Sequence, residues 1–203
     1  MSISRSKKRI MAAAALASIG ALGTAAVHSS AAAALATPFV REDPPTSLVA
    51  DLSERKLYIK EGDSTVETFP VAVGKGSKPT PQGNYKIRKI VWNPEWIPPD
   101  QPWAKGKTPQ APGAKANPMK LVKIFFKEPD YYIHGTGEVE SLGEAASHGC
   151  LRMDPDDAYR VARYLMEHGG QPQDDSWFQR VLHFRSETKT VILDHPIPMT
   201  VVD

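Results

Sequence analysis

Ser147-His148-Gly149-Cys150-Leu151-Arg152, with His134-Gly135-Thr136 fewer than twenty residues upstream, carries the only cysteine of this 203-residue chain and two of its six histidines. Cysteine attacks a carbonyl as the thiolate, and a free thiol with a pKa of about 8.5 is only a few per cent ionised at neutral pH. A nearby imidazole removes that obstacle by taking the proton or pairing with the sulfur. His134 closes the strand-like run Tyr131 to His134, and Gly135 behind it admits close backbone approach. One ring nitrogen of His134 can face Cys150 while a carbonyl holds the other. His148 is only two residues from Cys150. Extended backbone would point both side chains the same way, and a turn at Gly149 would alter that. Both histidines are therefore candidate bases on the residues alone. A loop ending at a nucleophile also exposes successive backbone N–H groups, which is what an oxyanion hole needs and what makes Gly149 a candidate. Arg152 is placed to favour the thiolate or to bind a substrate carboxylate.

Two plainer readings compete. Free cysteine is commonly a small buried hydrophobe, and two histidines with a cysteine make three possible zinc ligands. His-x-Cys is not the usual paired ligand spacing, so neither metal nor any other cofactor is expected.

Outward from this stretch, short alternating segments dominate: Leu48 to Leu52, Leu57 to Lys60, Thr65 to Val73, Asn84 to Val91, Lys120 to Phe126 and Thr188 to Leu193, with Met199 to Val202 as a last edge. Glu61-Gly62-Asp63-Ser64 is a turn signal between two of them. Many short strands separated by turns predict a mainly β sandwich or barrel. One helix is clear, beginning after Cys150. Asp154 fits the N-cap, Pro155 the first helical position, and Asp156 and Asp157 the positive end of the dipole, with Gly169 just past the end. Ala158, Val161, Ala162, Leu165 and Met166 line one face of it. A second, shorter helix is predicted over Ser176 to His183.

Trp92 to Pro118 is different, with seven of the 18 prolines and three of the four tryptophans and no sustained period. It reads as a long functional loop, either covering substrate or packed on the sheet.

Residues 1–36 have a basic head at Arg5 to Arg9, an Ala-rich apolar run and a small-residue end at Ala34-Leu35-Ala36, the layout of a secretory signal. Residues 37–46 read as a linker and 47–203 as the folded domain. Cleavage near Ala36 and export to a periplasm or cell wall are expected. Membrane attachment is expected only if the leader stays on, since no cysteine follows it to take a lipid and it has no paired arginines. Apolar residues at 41% and charged residues at 24% are ordinary globular values. The formal charge of +2 owes four positives to the leader; without it 21 Lys and Arg face 23 Asp and Glu, which argues against nucleic acid as partner.

His134-Gly135-Thr136 with Ser147 to Arg152 resembles the signature of the L,D-transpeptidase catalytic domain, the YkuD-like family: a histidine, a gap, then Ser or Thr, His-Gly-Cys, an apolar residue and Asn or Arg. The resemblance extends to Val49-Ala50-Asp51-Leu52, Leu57-Tyr58, Phe69-Pro70-Val71-Ala72-Val73-Gly74, Thr80-Pro81-Gln82-Gly83 and Asn93-Pro94, and spans roughly residues 47 to 202. It implies a β-sandwich-like catalytic fold and acyl transfer on peptidoglycan stem peptides. Cys150 would attack after the L-centre of diaminopimelate in a tetrapeptide, expel D-Ala and hold the peptide as a thioester until an amine resolves it. By the same resemblance His134 is the base, the Gly135 carbonyl orients its ring, amides near His148, Gly149 and Cys150 receive the oxyanion, and Ser147 supports the loop by hydrogen bonding. Arg152, Tyr132 and Trp96 are the candidate substrate contacts. Carbapenems are implied as acylating inhibitors. Water, giving a carboxypeptidase or endopeptidase, or the lysine of a wall-attached lipoprotein are alternative acceptors. A catalytically silent wall-binding module is the alternative outside enzymes.

Overall fold

A computed structural model describes residues 44–203; the leader and the first part of the linker lie outside them. Ten strands and two helices follow in chain order: β1 (Thr46–Asp51), β2 (Lys56–Glu61), β3 (Ser64–Pro70), β4 (Val73–Gly74), β5 (Gly83–Trp92), β6 (Val122–Lys127), β7 (Tyr131–Gly135), β8 (Ala145–Ser147), β9 (Leu151–Met153), α1 (Pro155–His168), α2 (Asp175–His183) and β10 (Lys189–Val202). Eight strands form one sheet in the order β3-β2-β1-β10-β5-β6-β7-β9, and β4 pairs with β8. The fold is mainly β with two helices, as the alternating segments predict.

Three expectations are corrected in detail. Met199 to Val202 is not an edge. It joins the 188–193 segment in the long β10, which lies between β1 and β5 and shifts register between Ile192 and Ile197. Pro196 falls in that shift and Pro198 after it, where the ladder tolerates residues that cannot donate. The segment Thr65 to Val73 is two strands. Phe69, Val71 and Val73 are all buried, but the backbone leaves β2 after Pro70, and Ala72 instead exchanges two 2.9 Å hydrogen bonds with Arg152. The third concerns the end of α1: Gly169 is the cap residue itself, and Gly170, at φ +82°, takes the left-handed position. The Gln171 N–H then reaches the Met166 carbonyl at 2.8 Å, closing a Schellman motif.

α1 starts where its residues predict, with the Asp154 carboxylate accepting from the Asp156 N–H at 2.8 Å. Its buried stripe, Ala158, Val161, Ala162, Leu165 and Met166, packs on the face of β6, β7 and β10 that carries Ile124 and Ile133. α2 is capped by Asp174 and delivers Phe178 to the same core. Trp92 belongs to that core rather than to the loop after it. It is fully buried and meets Tyr159, Trp177 and Phe178 edge-on at 5.7 to 5.9 Å. With α1 covering one face of β6 and β7, the alternate residues Lys123, Phe125, Tyr132 and His134 fall on the opposite face. Among the described residues no helix is long and apolar enough to cross a membrane.

Candidate active site

The uncovered face of β6, β7 and β9 forms the floor of a cleft of about 960 Å³, which includes Trp96, Tyr132, His134, Ser147, His148, Cys150 and Arg152 in its lining. Strand register explains how residues so far apart in sequence meet. Lys123 of β6 stands opposite His134 of β7, and His134 opposite Arg152 of β9. One step along, Phe125 is opposite Tyr132, and continuing the parallel β7–β9 register sets Cys150 level with Tyr132. The cleft floor therefore carries two rungs, Lys123–His134–Arg152 and Phe125–Tyr132–Cys150.

His134 is 4% exposed, and its Nδ1 lies 2.7 Å from the Gly135 carbonyl. That contact puts the proton on Nδ1 and leaves Nε2 as the acceptor. Burial depresses its pKa to about 4; the Gly135 and Pro118 carbonyls work against this, while Arg152 and Lys123 push further down. His134 is therefore neutral near pH 7, the form a base must have. A Cβ added at Gly135 would lie 3.1 Å from the Pro155 Cα and 3.2 Å from the Lys120 Cβ, so a side chain there would crowd both.

The Cys150 loop is shaped by Ser147. Its buried hydroxyl donates to the Cys150 carbonyl at 2.6 Å and accepts from the Gly149 N–H at 3.0 Å. The Gly149 amide is thus occupied, and an incoming oxygen would have to be met by the neighbouring amides. Gly149 adopts φ +113°, a conformation that L side chains rarely adopt. Ser147 is itself anchored by the β4–β8 pair and by the Lys75 N–H on its carbonyl at 3.1 Å.

Cys150 Sγ donates to the Asp130 carbonyl at 3.4 Å. Burial pushes the thiol up to about 11, opposed by the Tyr132 backbone N–H, Lys123, the Tyr132 side chain and Arg152. No hydrogen bond joins Cys150 to His134 among the described residues. The register accounts for this, since the two side chains stand on different rungs and the sulfur is turned toward Asp130. At rest the two are a neutral thiol and a neutral imidazole rather than an ion pair.

His148 does not approach the sulfur by hydrogen bonding either. Its ring stacks on Trp103 with centroids 4.0 Å apart and planes 14° from parallel. Burial lowers its pKa, aided by Lys75, Arg152, Lys107 and Lys78. Trp103 sits in a short 3₁₀ turn, Pro102–Ala104, so this stack ties the 92–118 segment to the Cys150 loop. Trp96 is 7% exposed and exchanges 2.8 to 2.9 Å backbone hydrogen bonds with Gln110, which gives that segment its own internal clasp. Asn117 adds a second, donating from its amide to the Pro94 carbonyl at 2.8 Å. The segment is both packed and cleft-lining, so the two readings of it are not exclusive.

The Arg152 guanidinium meets Glu138 at 2.6 Å, which leaves its positive charge largely answered. Residues that sequence reasoning missed are Lys123, Trp103, Glu138 and the Asp130 carbonyl. Only Lys123 carried a signal, as a cation between apolar neighbours on a predicted strand. No group of three His, Cys, Asp or Glu side chains is arranged to hold a metal ion among the described residues.

The family model of the L,D-transpeptidase catalytic domain matches residues 45–192. The chain is 33% identical over 129 residues to a probable L,D-transpeptidase ErfK/SrfK of Salmonella typhimurium, covering 60% of this chain and 40% of that protein. It is 30% identical over 118 residues to a putative L,D-transpeptidase YkuD of Bacillus licheniformis, covering 58% of this chain and 59% of that one. The chain thus spans about half the length of these relatives. Among solved structures, L,D-transpeptidase 3 from Mycobacterium tuberculosis matches with a TM-score of 0.50 at 17% identity over 79% of this chain and 62% of that chain, a likeness of fold.

Proposed function

Because the chain belongs to the L,D-transpeptidase catalytic-domain family, we propose that it is an exported peptidoglycan L,D-transpeptidase working through a Cys150 thioester. Substrate entering the cleft turns Sγ from the Asp130 carbonyl toward His134. As sulfur attacks the carbonyl carbon of a tetrapeptide stem, the thiol proton passes to His134 Nε2, and the Nδ1–H donated to Gly135 keeps that nitrogen aimed. Negative charge gathering on the carbonyl oxygen meets the amides of the His148–Cys150 turn that Ser147 does not hold, and Arg152 and Lys123 lie on the floor nearby. Collapse breaks the peptide C–N bond, the proton goes from His134 to the departing D-Ala amine, and the acyl group stays on sulfur. An acceptor amine then attacks the thioester, gives its proton to His134 and leaves as the new cross-link while sulfur recovers a proton. The bond energy is conserved in the thioester, so no nucleotide is consumed, which suits an exported enzyme.

The observation that carries this reading is the neutral, oriented His134 in one cleft with the single cysteine of the chain. Incubating the protein with tetrapeptide muropeptides and analysing products by mass spectrometry tests it. A dimer minus one D-Ala is expected from the wild type and none from Cys150→Ser, whose hydroxyl is far harder to ionise. A shortened monomer would make water the acceptor, and an unchanged muropeptide pool would make the domain a silent binding module.

A further inference from the structure

Of the two cations that flank His134, Arg152 has a carboxylate partner, Glu138, at 2.6 Å. Lys123 has none within ion-pair distance among the described residues. Its ammonium donates to the Glu95 backbone carbonyl at 3.1 Å and lies 4.9 Å from the centre of the Tyr132 ring. Lys89, the neighbouring lysine on β5, differs in kind: it sits over Phe125 at 4.3 Å and is paired with Glu128. A partly desolvated ammonium without an anion is costly unless an anion appears beside it during function. The ring that Lys123 covers is the one level with Cys150 on the cleft floor, and the Tyr132 side chain in turn bears on the sulfur.

We propose that Lys123 is the countercharge for the Cys150 thiolate, a positioning residue that acts through the nucleophile and across the face of Tyr132. The proposal rests on the cysteine acyl-transfer reading above. When Cys150 gives its proton to His134 during attack near neutral pH, Lys123 is the ammonium that stands across the Tyr132 face to meet the new charge. The mutual dependence is consistent with this, since the charge on Cys150 favours that on Lys123, and Lys123 favours the thiolate, each against burial. The other groups that bear on Cys150 are Tyr132 from β7, Arg152 from β9 with its Glu138, and the Asp130 carbonyl from the turn before β7, with His134 between Lys123 and Arg152 on the next rung; Lys123 also faces Glu95 and Lys89. Of these, Lys123 is the cation with no carboxylate at ion-pair distance among the described residues, Glu95 bearing on it only from farther off.

The test is the rate of iodoacetamide alkylation of Cys150, the sole thiol, followed by intact mass from about pH 6 to about pH 11. Lys123→Met should slow alkylation about tenfold between about pH 6 and about pH 8, the lower range for loss of a nearby opposite charge, and the deficit should close as pH rises and the wild-type ammonium loses its proton. Lys123→Arg should recover most of the rate, and Lys89→Met should leave the profile unchanged. A folded Lys123→Met protein, judged by its near-UV circular dichroism, with the wild-type profile would overturn the proposal. So would a slowing of the same size at every pH, or Arg failing to rescue, since either assigns Lys123 to access or packing. Alkylation does not require turnover. A Lys123-dependent thiol in a protein that forms no muropeptide product would therefore overturn the transpeptidase reading and support this one.

Discussion

Gly149→Ala isolates the geometry on which the site depends. A methyl group at this position has two penalties. The backbone is held at φ +113°, and a non-glycine residue in such a region costs about 1–3 kcal/mol. The new Cβ would also lie 2.7 Å from Tyr131 Cε1 and 3.4 Å from the Pro79 carbonyl oxygen. The Tyr131 ring cannot simply swing away, because it packs on Phe126 with centroids 6.3 Å apart. Relieving overpacking of this kind costs about 1–3 kcal/mol more. The loop is the softer side, so the strain is expected to lift Cys150 from its place and break the Ser147 hydrogen bonds on either side of Gly149. Stability should fall by about 2–6 kcal/mol, which for a folded unit of this size lowers Tm by roughly 4–24 °C. Turnover should fall at least about 100-fold, since displacing a reacting group by about 1 Å has that effect. Calorimetry and mass-spectrometric detection of muropeptide dimers measure the two quantities. Gly143→Ala is the control: its φ is +83°, but nothing lies within 4 Å of an added methyl, so it bears the backbone cost alone and spares Cys150. A Gly149→Ala protein with Tm within about 1 °C of wild type and more than about a third of its turnover would refute the reasoning.

Stability should also depend on pH through His134. Its folded pKa is about 4 against an ordinary 6.5, so below the ordinary value the unfolded chain binds a proton that the fold refuses. The contribution is complete above about pH 6.5 and is lost as pH falls toward 4, a difference of about 3 kcal/mol. Tm measured from about pH 7.5 to about pH 4.5 should decline, and His134→Gln should remove most of the decline over that window. His134→Ala should abolish muropeptide turnover. His148→Ala should reduce it by about tenfold or less, through loss of the Trp103 stack; the reverse ranking would exchange their roles. A carbapenem should add its mass to the Cys150 peptide alone, and an unmodified intact mass after prolonged exposure would count against a competent nucleophile.

The residues that gather in the cleft were legible in the sequence where they are contiguous or carry a distinctive spacing. Ser147 to Arg152 is contiguous, and Ser147 and Gly149 shape the loop through bonds spanning two or three residues. The start of α1 was likewise written in Asp154 and Pro155, whose effects reach no further than one helical turn. What stayed hidden depends on pairings between distant residues. Alternation assigns Lys123 to a face but does not say which strand lies alongside, and it is the β6–β7–β9 register that makes Lys123 and Arg152 the two neighbours of His134. The placing of β10 at the centre of the sheet was hidden for the same reason, since its partners β1 (Thr46–Asp51) and β5 (Gly83–Trp92) lie far from Lys189–Val202 along the chain. Trp103 reaches His148 only because a proline-rich segment without periodicity folds back across the cleft. The sequence by itself determined the lone cysteine's glycine turn and the mainly β class, both set by local sterics and side-chain chemistry. Tertiary structure alone decided which charges surround the thiol and that the sulfur rests on the Asp130 carbonyl, because electrostatics act through space and not along the chain.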